Sequence, residues 1–244
     1  MVADKFGTIT ADRVTVSSIS VLHNALKQWR SQERFECLTG WRDELCPIFM
    51  EGGPSGIERS GHGLFGIQTF GVHINVFTRT PEGYQMWVAV RSKTKPTFPG
   101  CYDQCVAGGI PMGETKYNAM LRECEEEASI PMTVAQSAIP TGAVSYTAMN
   151  SLGFCPEIQY CYDLETGITP MVHDNEVERF ELLPIPAILD IIASGQFKPN
   201  SAAVVIDFCI RHGLFTPDDP LYDDLFHLIH QDHHQRPERL DGSE

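Results

Sequence analysis

The sequence contains no long apolar run, no Cys-x-x-Cys pair and no excess of positive charge. A representative apolar stretch, residues 202–206, is far too short to cross a bilayer, for which about 20 apolar residues are needed. The opening Met-Val-Ala-Asp-Lys-Phe lacks the apolar region of a secretion signal. We therefore expect no membrane partner, a cytoplasmic location, and eight cysteines that stay reduced.

The charge balance limits the partners. Eighteen Lys and Arg residues stand against 32 Asp and Glu residues, which gives a net charge of −14 at pH 7. A protein that neutralises nucleic-acid phosphates needs clustered Lys and Arg, so no nucleic-acid partner is expected. An anionic ligand would need positive charge from elsewhere, and a divalent metal ion is the simplest source.

The patterning changes near residue 65. We expect residues 1–65 to form a small N-terminal extension domain that is largely helical. Leu22, Leu26 and Trp29 recur at helical spacing, and residues 41–50 are expected to form a second short helix. This extension could complete a substrate pocket, cover a sheet edge or make a homodimer contact, and the sequence leaves these three roles open.

Residues 66–244 alternate between strand and helix patterns, which predicts an α/β sandwich with a mixed sheet. Residues 72–77 and 86–90 flank a Pro-Glu-Gly turn and are expected to form a hairpin. The other strands are expected at residues 142–146, 158–164 and 177–182, and the helices at residues 115–129, 187–193, 200–212 and from about residue 218 onward.

The helix expected at residues 115–129 carries an unusual concentration of acid. At 100° per residue, Glu123, Glu126 and Glu127 fall within about a third of its circumference. Like charges this close raise each other's pKa unless a cation binds between them. A hard cation that prefers oxygen ligands, Mg²⁺ or Mn²⁺, fits such a cluster best, although many Glu-rich helices are only solvated surface.

The spacing of this segment resembles the Nudix box, in which Gly, five residues, Glu and seven residues precede Arg-Glu-U-x-Glu-Glu-x-Gly-U, where U is aliphatic. The matching residues here are Gly108, Glu114, Arg122, Glu123, Cys124, Glu126, Glu127, Ser129 and Ile130. Cys124 replaces an aliphatic residue, and Ser129 replaces the Gly that ends the helix. The resemblance implies a Nudix α/β/α sandwich with a mixed sheet and a hydrolase that acts on diphosphates.

The resemblance also implies roles for individual residues. Glu126, Glu127 and the backbone carbonyl of Ala107 would be metal ligands, and Glu123 would bind metal or orient the attacking water. Arg122 would pair with Glu114 and hold the loop of the box against the helix. Nudix enzymes often use one further Glu from a later loop. Glu176, in the segment Asp174-Asn-Glu176, is the candidate here, and an ordinary loop acid is an equally good interpretation.

Four further stretches resemble one Nudix subgroup: residues 91–100, 142–146, 161–164 and 206–214. This subgroup is found fused ahead of thiamine pyrophosphokinase in some fungi and alone in other fungi and in plants. The resemblance implies a small-molecule diphosphate substrate. Its members are similar to enzymes that convert thiamine diphosphate, and preferentially its oxo- and oxythiamine analogues, to the monophosphate and phosphate.

Four residues are candidates for binding the substrate. Arg91 and Lys95 precede the box on a strand and turn, from which both could reach a diphosphate, and surface ion pairing is the alternative. Tyr102 and Phe154 could stack on a pyrimidine or thiazole ring, and burial in the core is the alternative.

Three other functions compete with this interpretation. The box alone equally permits a hydrolase of ADP-ribose or another nucleoside diphosphate. Residues 91–100 also resemble isopentenyl diphosphate isomerases, but Ala107 and Gly109 occupy the positions of the Cys and His that those enzymes need. A non-catalytic sensor or scaffold is the third, and a retained cluster of like charges speaks against it.

Overall fold

The computed structural model describes residues 7–9, 14–16, 18–50, 53–95, 97–150, 153–173 and 175–231. The strands are β1 Gly7–Ile9, β2 Val14–Val16, β3 Leu45–Met50, β4 Gly53–Glu58, β5 Thr69–Thr80, β6 Gly83–Arg91, β7 Tyr102–Gln104, β8 Val106–Gly109, β9 Ile139–Asn150, β10 Gly153–Glu165 and β11 Val177–Pro184. The α-helices are α1 Ile19–Ser31, α2 Lys116–Ala128, α3 Met132–Ala135, α4 Ile185–Ala193, α5 Pro199–Arg211 and α6 Tyr222–Ile229. Short 3-10 helices lie at Glu36–Gly40 and Arg59–Leu64.

A mixed sheet organises residues 69–184, as the sequence predicted. Its main order is β11, β6, β5, β10, β9, while β7 pairs with β6 and β8 pairs with β5. Strand β10 runs parallel to β5, and the other neighbours in this sheet are antiparallel. The expected β5–β6 hairpin is present, with Phe77 opposite Met86.

Helices cover both faces of this sheet, which confirms the α/β/α arrangement. Helix α2 packs on one face, where Met120 lies in a buried cluster with Val72 and Ile74 of β5. Helices α4 and α5 pack on the other face, where Phe208 lies in a cluster with Val88 of β6. None of the helices in the described ranges has the length and apolarity needed to span a bilayer.

The residues before β5 have a buried cluster of their own, which includes Leu26 of α1, Cys46 of β3 and Ile57 of β4. The second helix expected at residues 41–50 is wrong, because residues 45–50 form strand β3 and pair antiparallel with β4. Pro47 gives a physical reason, since a proline inside a helix removes a hydrogen bond and clashes with the preceding turn. Among the residues described before β5 there are one α-helix, two 3-10 helices and two strand pairs, so this part of the extension is not largely helical.

Candidate active site

Helix α2 carries the acidic residues at a fixed place on the sheet. Its start is capped by Thr115, whose hydroxyl accepts a hydrogen bond from the Asn118 N–H at 3.1 Å. Cys124 and Ala128 are fully buried against the sheet. The helix ends at Ser129, which takes the left-handed conformation with φ 51°. These features fix both ends and the rotation of the helix.

Three glycines, Gly71, Gly108 and Gly109, lie close together on β5 and β8 beside the acidic residues. Where β8 pairs with β5, Gly109 lies opposite Gly71, and Gly108 lies opposite Val72. The carboxylate of Glu123 lies over Gly108, and Glu123 is only 8% exposed. Polar side chains from other elements can therefore approach the backbone of the box closely.

Arg122 holds the acidic residues in their present arrangement. Its guanidinium forms a two-bond fork with Glu114, at 3.0 Å from Nε and 2.8 Å from Nη2, so the pairing predicted from the sequence is present. Its Nη1 donates to Glu123 at 2.8 Å and to Glu126 at 3.0 Å. One arginine therefore joins the loop of the box to two acidic residues of α2.

Glu127 lies on the other side of Glu123 and contacts β8. Its Oε2 accepts a hydrogen bond from the backbone N–H of Ala107 at 2.8 Å, so two of the predicted metal ligands are adjacent. Burial and the charge of Glu123 raise the pKa of Glu127 well above its ordinary value. Burial also raises the pKa of Glu123, against the opposing effect of Arg122. Without a cation, this arrangement penalises ionised carboxylates.

The donor set fits a hard divalent cation. Carboxylate oxygens on one helix and a strand backbone beside them are the oxygen ligands that Mg²⁺ and Mn²⁺ prefer, and a cation would relieve the repulsion between Glu123 and Glu127. Within the described part of the chain, no three acidic, His or Cys side chains converge closely enough to hold an ion as they stand. As they stand, Glu123 and Glu126 are both paired with Arg122, so binding of an ion by these carboxylates would require the side chains to rearrange.

Arg91 and Lys95 have protein partners. Arg91 donates to Asp103 at 2.6 Å and to the carbonyls of Thr97 at 2.9 Å and Phe98 at 3.0 Å, which ties down the turn between β6 and β7. All three nitrogens of its guanidinium have partners within the protein, and the diphosphate contact expected from the sequence stays a prediction.

Glu176 forms an ion pair with Lys95. The Lys95 Nζ is 2.6 Å from the Glu176 carboxylate, and the Ser92 N–H donates to the Glu176 carbonyl at 2.9 Å. The roles predicted for Lys95 and Glu176 at the box stay predictions. Asp174, which precedes Glu176 in the predicted loop, lies outside the described residues.

Tyr102 and Phe154, the two aromatic residues predicted to bind the substrate, differ in their surroundings. The Tyr102 hydroxyl donates to Glu181 at 3.0 Å, and its ring stacks on Phe197 with centroids 6.5 Å apart, so Tyr102 is engaged between β11 and the loop before α5. Phe154 lies near the start of β10 and is 43% exposed. Its ring lies 3.2 Å from the position that a Cβ on Gly66 would take. Because β10 is parallel to β5, this is the end of the sheet that the loop of the box also joins. Only Phe154 has the exposure that ring stacking requires.

Sequence reasoning missed a partly buried charged group that acts on Glu127. Lys198, just before α5, lies 3.1 Å from the Asp103 carboxylate. Burial lowers the pKa of His73 to about 3, so this imidazole is neutral, and its Nδ1 has no hydrogen-bond partner among the described residues. Lys198 and Asp103 also act on the pKa of Glu127, in opposite directions and less strongly than burial and Glu123. These residues come from separate elements and share no motif.

Comparison with known proteins gives consistent similarities. A family profile described as the NUDIX domain matches residues 69–205. Nudix hydrolase 20, chloroplastic, of Arabidopsis thaliana is 37% identical over 198 residues, which cover 79% of this chain and 53% of that protein. The chain thus spans about half the length of this plant relative.

Two bacterial similarities concern the domain itself. A Nudix hydrolase of Deinococcus radiodurans is 31% identical over 140 residues, which cover 57% of this chain and 77% of that protein. The crystal structure of DR0079 from Deinococcus radiodurans superposes with a TM-score of 0.51 and 26% identity, over 67% of this chain and 98% of that one. The domain is therefore matched both in sequence and in fold.

Proposed function

Because the chain belongs to the Nudix hydrolase family, we propose that it hydrolyses the phosphoric anhydride bond of a small organic diphosphate with Mg²⁺ or Mn²⁺. The observation that carries this proposal is the 2.8 Å contact between Glu127 and the Ala107 N–H, with Glu123 buried alongside. It brings acidic side chains from α2 to the backbone of β8, where the family's metal ligands are expected.

Each residue of the box has a separate task in this proposal. Glu123, Glu126, Glu127 and the Ala107 carbonyl would hold the ion. When bound, the ion would polarise the diphosphate and lower the pKa of an attacking water. Glu114 holds Arg122 by its two-bond fork, so Arg122 stays in place while it releases Glu123 and Glu126. Arg122 would thus order the side chains without touching the substrate.

We assign the substrate more finely to thiamine diphosphate and its oxo- and oxythiamine analogues. The support is the resemblance of residues 91–100, 142–146, 161–164 and 206–214 to the thiamine-related subgroup. The exposed ring of Phe154, at the end of the sheet that carries the box, is a surface on which a flat heterocycle can stack. The contacts described above engage Arg91, Lys95, Tyr102 and Glu176, so each of them would have to exchange or share a protein partner to serve the substrate or the metal.

The isomerase alternative finds no support in the site. Cys105 is the cysteine nearest to Ala107 in the chain, and it is only 1% exposed within the core beneath α2. Burial raises the pKa of its thiol well above the ordinary value of 9.0. A thiol in this environment is not available to donate a proton to a substrate.

The test is phosphate release from oxythiamine diphosphate, thiamine diphosphate and ADP-ribose with Mg²⁺ or Mn²⁺. Phosphatase is added to the ADP-ribose reaction so that its products are also detected. We expect the oxythiamine compound to be turned over fastest. A preference for ADP-ribose would keep the metal chemistry and overturn the thiamine assignment. Absence of turnover with all three would overturn the proposed function.

A matched pair of variants tests the metal ligands. Glu126→Gln should abolish turnover, whereas Glu125→Gln, at an exposed neighbouring position on α2, should retain it. Circular dichroism checks that both variants fold. Metal-dependent turnover that survives Glu126→Gln would contradict the ligand assignment.

A further inference from the structure

The segment before β5 reaches the loop of the box directly. The Met112 N–H in that loop donates to the Leu45 carbonyl of β3 at 2.8 Å. The Met112 side chain covers Gly56 of β4, where an added Cβ would lie 2.7 Å from its sulfur. The β3–β4 hairpin therefore supports the loop between β8 and α2, although it lies outside the matched domain.

Arg59 brings a positive charge from this segment to the box. A Cβ on Gly109 would lie 2.0 and 2.1 Å from the two terminal nitrogens of Arg59, so the guanidinium occupies the space above that glycine. The 3-10 helix that begins at Arg59 is fixed by Glu58, whose carboxylate accepts hydrogen bonds from the backbone N–H groups of Arg42 and Ser60. The positive charge of Arg59 lowers the pKa of the Glu123 carboxyl, against the larger effect of burial, which raises it.

Arg59 has an exchangeable partner. Its Nη1 pairs with Glu44 at 2.5 Å, and both side chains are partly exposed, at 26% and 30%. Because both partners keep contact with solvent, water can solvate Glu44 when the pair opens, unlike in a buried pair, where the loss of one partner is costly. A diphosphate that approaches the box can therefore replace Glu44 at small cost, and guanidinium binds phosphate oxygens with two well-aligned donors. Arg122 offers no such opportunity while Glu114 holds it in a two-bond fork.

We propose that Arg59 is a substrate-binding residue that the N-terminal segment supplies to the Nudix site, where it exchanges Glu44 for the diphosphate of the substrate. This inference rests on the proposed function of the same site. It makes the site composite: the metal ligands come from residues 107–127, and a phosphate-binding cation comes from the segment before the matched domain. A purely structural Arg59, present only to pair with Glu44, is the alternative.

Two variants separate these roles, because they break the same ion pair from opposite sides. Arg59→Met should raise the KM for the substrate by about tenfold to a hundredfold with a smaller change in kcat, as expected for loss of a charge-assisted contact. Glu44→Gln should leave KM within about twofold of the wild type. Arg79→Met, which removes an exposed arginine paired with Glu165 far along β5, is the control for net charge.

A second measurement does not depend on turnover. The melting temperature of each variant is measured with and without inorganic pyrophosphate in the presence of Mg²⁺. Pyrophosphate should raise the Tm of the wild type, Glu44→Gln and Arg79→Met, and the rise should be lost in Arg59→Met and partly restored in Arg59→Lys. If Arg59→Met does not fold, Gly109→Ala is used instead, because its methyl group displaces the Arg59 guanidinium.

The outcomes distinguish the two proposals. If the three diphosphates are not hydrolysed but the pyrophosphate effect follows Arg59, the proposed function fails and the assignment of Arg59 stands. Equal KM and equal pyrophosphate effects in the wild type and Arg59→Met overturn the assignment. Equal losses in Arg59→Met and Glu44→Gln also overturn it, since they indicate that only the ion pair matters. No effect of pyrophosphate on the wild type overturns it as well.

Discussion

The carboxylate of Glu123 occupies the space that a side chain on Gly108 would fill. A Cβ built on Gly108 would lie 1.9 Å from the Glu123 Cδ and from one of its oxygens. Glycine is therefore required at this first position of the box by the side chain that crosses it. The position of a proposed metal ligand depends on the absence of a methyl group fifteen residues earlier in the chain.

Replacing Gly108 by Ala should reduce activity far more than stability. The clash falls on the flexible end of Glu123, which can move aside, so we expect the free energy of unfolding to fall by less than about 2 kcal/mol. A shift of about 1 Å in a catalytic group costs roughly a hundredfold in rate, and turnover should fall by at least that factor. Gly40→Ala, which meets no atom within 4 Å, is the control. Wild-type turnover in Gly108→Ala would contradict this account of Glu123.

The sequence predicts the main elements of the site well where local signals agree. Helix α2 was expected at residues 115–129 and lies at Lys116–Ala128, because a capping threonine and a regular apolar stripe both mark it. The Arg122–Glu114 pairing was also anticipated, from the family resemblance. The helix predicted at residues 41–50 is wrong, because Pro47 disfavours a helix and the pairing with β4 makes residues 45–50 a strand despite their apolar content.

Contacts between distant elements could not be predicted from the sequence. The ion pairs of Arg91 with Asp103 and of Lys95 with Glu176 depend on turns whose geometry a sequence pattern does not reveal. Arg59 lies in a segment with no recognisable motif and becomes relevant only because Gly109 is next to it in space.

Ser129 offers a stability prediction that does not involve the active site. Its φ of 51° places a non-glycine residue in the left-handed region, which costs roughly 1 kcal/mol or more relative to glycine. Ser129→Gly should therefore increase the free energy of unfolding by about 0.5–1 kcal/mol, measured by urea denaturation. Ser129→Ala keeps the backbone penalty and is the matched control. Equal stability of the Gly and Ala variants would show that the αL turn is not strained.

Asp103 should make the fold sensitive to acid. Burial alone would raise the pKa of this carboxyl, but Lys198, the Ser201 hydroxyl and Arg91 outweigh it and lower the pKa from 3.8 to about 2. The resulting contribution, about 2 kcal/mol, is fully present above pH 3.8 and is lost as the pH falls through about 2.

The acid step is measured as the free energy of unfolding between pH 2 and 7. Asp103→Asn should lack this step, and at pH 7 it should be less stable by about 2 kcal/mol, because the partly buried Arg91 and Lys198 lose the carboxylate that pairs with them. Asp190→Asn, at an exposed position on α4, is the control and should retain the wild-type curve. A curve for Asp103→Asn that parallels the wild type would remove Asp103 as the cause.

Glu127 should show the opposite pH dependence when metal is absent. Burial and Glu123 raise its pKa above the ordinary 4.5, so the folded protein binds a proton more tightly than the unfolded chain. Stability associated with this group is present below about pH 4.5 and declines as the pH rises toward the folded pKa. In the presence of a chelator, Glu127→Gln should therefore have a higher Tm at pH 8 than the wild type.

Adding Mg²⁺ or Mn²⁺ should reverse that order. The ion should raise the Tm of the wild type, because it binds the ionised carboxylate, and should have little effect on Glu127→Gln. Turnover should fall by roughly three orders of magnitude or more in this variant, since several kcal/mol of transition-state stabilisation are lost. Equal metal-induced shifts in both proteins would exclude Glu127 as a ligand.

The overlap between Arg59 and the missing side chain of Gly109 has an evolutionary consequence. The two positions are coupled: a residue larger than glycine at 109 would displace the guanidinium of an arginine at 59, so an arginine held in its present place at 59 requires glycine at 109. Related chains that lack the N-terminal segment are released from this restriction. We therefore expect positions 59 and 109 to covary among relatives that possess the β3–β4 hairpin, and to vary independently among relatives that lack it.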